Sequence, residues 1–175
     1  MITRGEIRFN CCESVLMMVD EKHPLPGFDA AVMRIASNFG GGIAGWGEIC
    51  GAVSGAAMTL GLVYGTDGDE AKPKFDKMRT RERKLTQEFI RSFKARWGKL
   101  GCCDLLGCTD CTPEARAKFA EELKAKGLNH CDEYVDWAAE KTLDIIRKNL
   151  QRGFSRPRRL RTSASPHPHR ARPGP

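Results

Sequence analysis

Between Phe39 and Gly61 the chain reads FGGGIAGWGEICGAVSGAAMTLG. Three consecutive glycines, Gly40 to Gly42, mark backbone that a Cβ would obstruct, or backbone that must come close to something else. Gly45 and Gly47 follow, and then Gly51, Ala52, Ser54, Gly55, Ala56 and Ala57 give a helix with almost no side-chain bulk. Another backbone, or a cofactor, can come very near such a helix. Cys50 stands at its start. The Gly51-x-x-x-Gly55 spacing is a close-packing signal in membranes and a weak one elsewhere. The glycines do not form a Rossmann or P-loop motif, because no strand pattern precedes them and no Gly-Lys-Ser/Thr follows. The plain alternative is a tight connection between packed helices.

The rest of the chain is patterned for helices. Apolar spacing predicts them over Glu6 to about Asp20, with Phe9, Cys12, Leu16 and Val19 on one side, and over Ala30 to Asn38, capped by Asp29, with a stripe of Val32, Ile35 and Phe39. Further helices are predicted from about Gly47 to Tyr64, over Asp69 to Trp97 with Pro73 in the first turn, and from Thr112-Pro113 to Lys126. A last one covers Cys131 to about Leu150. No alternating strand pattern of useful length appears. The expected fold class is all-α, a single irregular bundle of about six helices over residues 1–151. Residues 152–175 hold seven arginines, no acid and five of the nine prolines. They are expected to be a disordered basic tail. The formal charge of +7 lies wholly there, since residues 1–151 carry 22 basic and 22 acidic residues. The neutral body argues against nucleic acid as a partner. The run Ile49 to Tyr64 is shorter than the roughly 20 residues of a membrane span, which argues against membrane insertion.

Eight cysteines are many for 175 residues. The N-terminus MITRGEIRFNCCESV has no secretory pattern, so the expected location is the cytoplasm. Cytoplasmic thiols stay reduced, which points to metal or redox chemistry rather than structural disulfides. The cysteines are Cys11-Cys12, Cys50, Cys102-Cys103, Cys108, Cys111 and Cys131. Their setting is Asn10-Cys11 before Ser14-Val15-Leu16; Phe39-Gly40-Gly41-Gly42 leading to Cys50-Gly51-Ala52-Val53-Ser54-Gly55; Cys102 ahead of Leu105-Leu106-Gly107; and Cys131. Over about residues 6–150 this resembles the redox-active protein family named for its C…GCAxxG…C…C pattern, a relative of a domain in split-Soret cytochromes. The chain departs from the name in one place: its central motif is Cys-Gly-Ala rather than Gly-Cys-Ala.

The resemblance implies a small helical domain in which Cys11, Cys50, Cys102 and Cys131 converge on a redox centre, with an iron–sulfur cluster as one form of it. The residues read alone are compatible with this. Four thiolates suit [2Fe–2S], the expected cluster, and equally [4Fe–4S] or tetrahedral zinc. Gly41, Gly42 and Gly51 are the backbone positions expected to approach the cofactor. Cys50, at a helix N-terminus, is expected to have a lowered thiol pKa. Of Cys11 and Cys12, which point about 100° apart on a helix, Cys12 is the one expected in the core. Cys108-x-x-Cys111 with Cys103 and His130 or Cys131 makes a rival zinc site, which would belong to a structural interaction module. A metal-free thiol–disulfide cycle is a third reading. The expected partner is another redox protein, with no substrate of the chain's own identified, and the small-residue helix is a candidate homodimer surface.

Overall fold

A computed structural model of the protein describes residues 1–127 and 130–153. Before the first helix, Thr3–Arg4 (β1) and Ile7–Arg8 (β2) pair antiparallel, a hairpin too short for an alternating pattern to reveal. Asn10 then sets the helix start. Its side chain accepts from the N–H groups of Cys12 and Glu13, and the Asn10 N–H donates back to Glu13 at 2.7 Å, a complete capping box. Helix α1 therefore covers Cys11–Lys22, and Phe9 lies ahead of it rather than on its face.

Helix α2, Ala30–Ala36, is capped by Asp29 as expected and runs into a 3₁₀ turn at Ser37–Phe39. Its expected apolar stripe is only partly buried: Val32 and Phe39 pack against the core, but Ile35 does not. Ile35 is 59 % exposed, and only Ala36 on this helix is fully enclosed, because two turns offer too short a face. Helix α3 is Gly51–Tyr64, with Cys50 as its N-cap residue. Helix α4 is Lys72–Trp97 with proline in the first turn, and α5 is the short Cys102–Leu106. Helices α6, Pro113–Ala125 behind the Thr112 cap, and α7, His130–Gln151, complete the order. The described residues thus hold seven α-helices, the addition being α5, whose five residues are too few for a periodic signal. None of the described helices is long and apolar enough to cross a membrane. From residue 154 onward, the expectation of a disordered tail lies outside the described residues.

Helices α1, α3, α4 and α7 build the core, and α3 packs on all three others. Its small residues explain this. A Cβ on Gly55 would lie 2.7 Å from the Cys12 carbonyl oxygen and 2.9 Å from the Val15 Cβ, and one on Gly51 would lie 2.9 Å from the Cys11 Cβ. The two helices approach as closely as backbones allow. Val15, Leu16, Val19, Leu60, Phe89, Phe93, Val135, Leu143 and Ile146 fill the interior. Phe93 meets Trp137 edge-on at 5.7 Å, and Trp97 meets Tyr134 edge-on at 4.8 Å, joining α4 to α7. The Tyr134 hydroxyl donates to the Leu105 carbonyl at 3.1 Å, tying α5 to α7 beside the cysteines.

Candidate redox site

The glycine loop is a left-handed turn. Gly41, Gly42, Ile43, Ala44 and Gly45 have φ of 64°, 75°, 60°, 50° and 81°. For Ile43 and Ala44 that conformation costs roughly 1–2 kcal/mol each. It is held by the Gly45 N–H on the Gly40 carbonyl at 3.0 Å, Gly47 on Gly41 at 3.0 Å and Glu48 on Gly42 at 3.1 Å. Gly42 is obligatory here, since a Cβ would sit 2.6 Å from the Glu48 nitrogen.

The loop delivers the chain to a strap. Ile49 and Gly101 form an isolated antiparallel bridge. The Cys50 N–H donates to Leu100 at 2.8 Å, Cys102 to Glu48 at 2.6 Å and Cys103 to Gly47 at 2.9 Å. The strap sets Cys50 at the entrance of α3 beside Cys102, the first residue of α5. Cys11 is the first residue of α1, and Cys131 the second of α7. Each of the four cysteines thus occupies the N-terminal end of a different helix, and all four line one cavity with Leu105, Leu106 and Tyr134. Helix N-termini favour thiolate, so this convergence suits negative sulfur.

Burial opposes that preference, and the balance differs at each sulfur. Cys50 does not have the lowered pKa expected from its position. Burial, together with charge on Cys11, pushes it up to about 12, against the pull of the Ala52 and Val53 N–H groups. Cys102 rises to about 11 for the same first reason, with Arg116 pulling the other way. Cys11 alone moves down. The Cys131 thiol hydrogen-bonds to it and outweighs its burial, and the Gly41 N–H adds to the effect. Cys131 is driven up, first by that same bond. In metal-free protein, one thiol is therefore expected to titrate below the ordinary range of about 8.5 while its three neighbours stay protonated. A thiolate ultraviolet titration checks this. Because the Cys11 pKa is lowered by folding, the stability it lends is complete above the unfolded thiol value and fades as pH falls through the folded one.

The remaining cysteines are placed elsewhere. Cys12 is fully buried with its sulfur 3.6 Å from the Met58 sulfur, in the core as expected. Cys103 and Cys111 form a disulfide, so in this state they cannot serve as thiolate ligands of the rival zinc set, and Cys108 is left as a free thiol. The bond pins the α5 start under Gly47, where a Cβ would lie 3.1 Å from that of Cys103. Removing it with Cys103→Ser and Cys111→Ser is expected to lower stability by about 2–3 kcal/mol, from closure of so short a loop. Thermal melts against the parent protein check this.

Among the described residues, the ligand atoms that lie within 4.8 Å of one another are carboxylates of Asp67, Asp69 and Glu70. They form an exposed turn where Glu70 accepts from the N–H groups of Asp67 and Gly68. No three cysteine sulfurs meet that limit. Their spread is wider than the roughly 3.8 Å edges of a tetrahedral zinc thiolate site. Four cysteine thiols on one cavity are a donor set used both by iron–sulfur clusters and by zinc. The enclosed space is about 10 Å³, room for about one water, so the walls must part to admit anything larger.

Of the expected backbone positions, Gly41 faces this site, while Gly42 and Gly51 pack against neighbouring backbone. Arg116 on α6 was not legible in the sequence. Its Nε donates to the Gly45 carbonyl at 2.7 Å, and its guanidinium charge pulls the Cys102 thiol pKa downward. A charged residue on a polar helix carries no signal that its partner is 71 residues away.

Comparison with known families matches residues 9–145 to the family described as "Putative redox-active protein (C_GCAxxG_C_C)". No curated protein and no solved structure matches the chain.

Proposed function

The chain belongs to the C_GCAxxG_C_C family, and from that premise we propose that it is an electron-transfer protein whose centre is an iron–sulfur cluster, [2Fe–2S], held by Cys11, Cys50, Cys102 and Cys131. The observation that carries this reading is the convergence of four cysteines, each from the N-terminal end of a separate helix, on one cavity. When bound, such a cluster supplies reversible one-electron chemistry. The protein's own contribution is legible in its residues. Leu105, Leu106 and Tyr134 form the apolar side of the cysteine cavity. The Gly41 N–H and the Arg116 guanidinium face Cys11 and Cys102, and hydrogen bonds and positive charge beside sulfur favour the reduced state. The electrons would pass to and from another redox protein.

One observation favours a second reading. The Cys11 and Cys131 thiols line the same cavity and shift each other's pKa in opposite directions, as neighbouring thiols of a dithiol that cycles with its disulfide would. The test is anaerobic purification with iron, sulfide and zinc analysis beside a visible spectrum. Iron and sulfide with visible absorbance support the cluster. Colourless, iron-free protein in which Cys11 and Cys131 oxidise reversibly to a disulfide overturns it in favour of the dithiol. Stoichiometric zinc without a reducible centre leaves a structural module.

A further inference from the structure

The cysteine cavity has a neighbour. A cleft of about 300 Å³, open to solvent, is lined by Cys11, Cys102 and Cys131 on its floor. Its volume is at the lower end for small-molecule sites. Arg8, Arg116, Lys124 and His130 also line it, whereas among the described residues no aspartate or glutamate does. This concentration is local, because residues 1–151 as a whole have no net charge. The N-terminal amine at the rim is already paired with Asp132 at 2.5 Å, and Lys124 has only a loose 3.9 Å pairing with Glu121. Arg116 is the anchored cation. The Gly45 carbonyl fixes its Nε at 2.7 Å, and Gly41 and Gly45 make room for it. A Cβ on Gly41 would lie 2.6 Å from its Nη2. The left-handed glycine turn therefore seats a guanidinium beside three of the four cysteines.

We propose that this cleft binds a small anionic molecule, a low-molecular-weight carboxylate or phosphate, with its charged group on Arg116 and its body over Cys11, Cys102 and Cys131. The inference deepens the redox reading, since it names the chemical class admitted to the thiol site. A cleft lined by one sign of charge raises the local concentration of opposite ions and their encounter rate by tenfold or more.

The test compares two thiol reagents on the full chain, as purified and again after anaerobic chelation. Iodoacetate is anionic and iodoacetamide neutral. Both form a carbon–sulfur bond to a thiolate and release iodide, so their rate ratio at one pH is independent of the thiolate fraction. Mass spectrometry reads the label at Cys11, Cys102 and Cys131. The expected result is an iodoacetate-to-iodoacetamide ratio about tenfold or more above that of free cysteine. It should fall with ionic strength and collapse in Arg116→Ala. Protection by citrate but not inorganic phosphate identifies the carboxylate source, and the reverse identifies phosphate. A ratio equal to that of free cysteine and unchanged in Arg116→Ala overturns the proposal. So does the absence of labelling at all three cysteines after chelation, since the cleft would then not open on the thiols. Iron-free protein would sink the cluster without altering this ratio, and a flat ratio would sink the anion site without altering the iron content.

Discussion

With the proposed cluster in place, Cys11→Ser is expected to abolish the visible chromophore and the iron of anaerobically purified protein, whereas Cys12→Ser keeps both. The adjacent residues differ only in direction. Cys11 opens α1 on the side shared with Cys131, Cys50 and Cys102, while Cys12 turns into the core against Met58. Removing one thiolate from a four-cysteine set leaves an iron without its ligand, so the loss is expected to be complete rather than graded. The Cys12 exchange instead buries a hydroxyl where a thiol packed, at a cost of about 1–3 kcal/mol. Iron analysis and a visible spectrum on the two variants, with a melting curve for each, separate the effects. Retention of iron in Cys11→Ala, which has no oxygen to replace the sulfur, would exclude this cysteine as a ligand.

Gly55→Ala is expected to destabilise the protein by about 1–2 kcal/mol, and Gly61→Ala on the same helix to stabilise it by up to about 1 kcal/mol. Alanine is the better helix former by about that amount at either position. At Gly61 the new methyl meets nothing within 4 Å. At Gly55 it meets the Cys12 carbonyl oxygen at 2.7 Å and the Cys12 Cα at 3.2 Å, backbone atoms that cannot swing aside. Overpacking of this kind costs about 1–3 kcal/mol. The expense is met by moving α1 away from α3, which also separates Cys11 from Cys50. Chemical denaturation of the two single variants measures the pair, and equal shifts would mean that α1 and α3 are not in backbone contact. The same contact explains why so glycine-rich a helix persists despite its poor propensity.

Much of this was legible before any coordinates. Asp29 and Thr112-Pro113 announce helix starts through local chemistry. The cysteine spacing, with the glycine motif, identifies the family. The start of α1 was misplaced because apolar spacing extends back to Phe9, whereas the Asn10–Glu13 capping box overrides it. Helix α5 was missed because five residues carry no period. Cys50 was misjudged because a helix N-terminus is visible in a sequence and burial is not. Its desolvation exceeds the pull of two backbone N–H groups.

The division follows from range. Capping, helix periodicity and the left-handed backbone at Gly41 and Gly42 depend on neighbours within a few residues, so the amino-acid sequence alone determined the all-α class, most helices and the membership of a redox-active cysteine family. Which sulfurs share a cavity, which two close a disulfide, and which arginine stands over them depend on pairs tens of residues apart, with energies set by burial. Only the tertiary structure decided that four helix N-termini meet at Cys11, Cys50, Cys102 and Cys131, and that Arg116 rests on the glycine turn beside them.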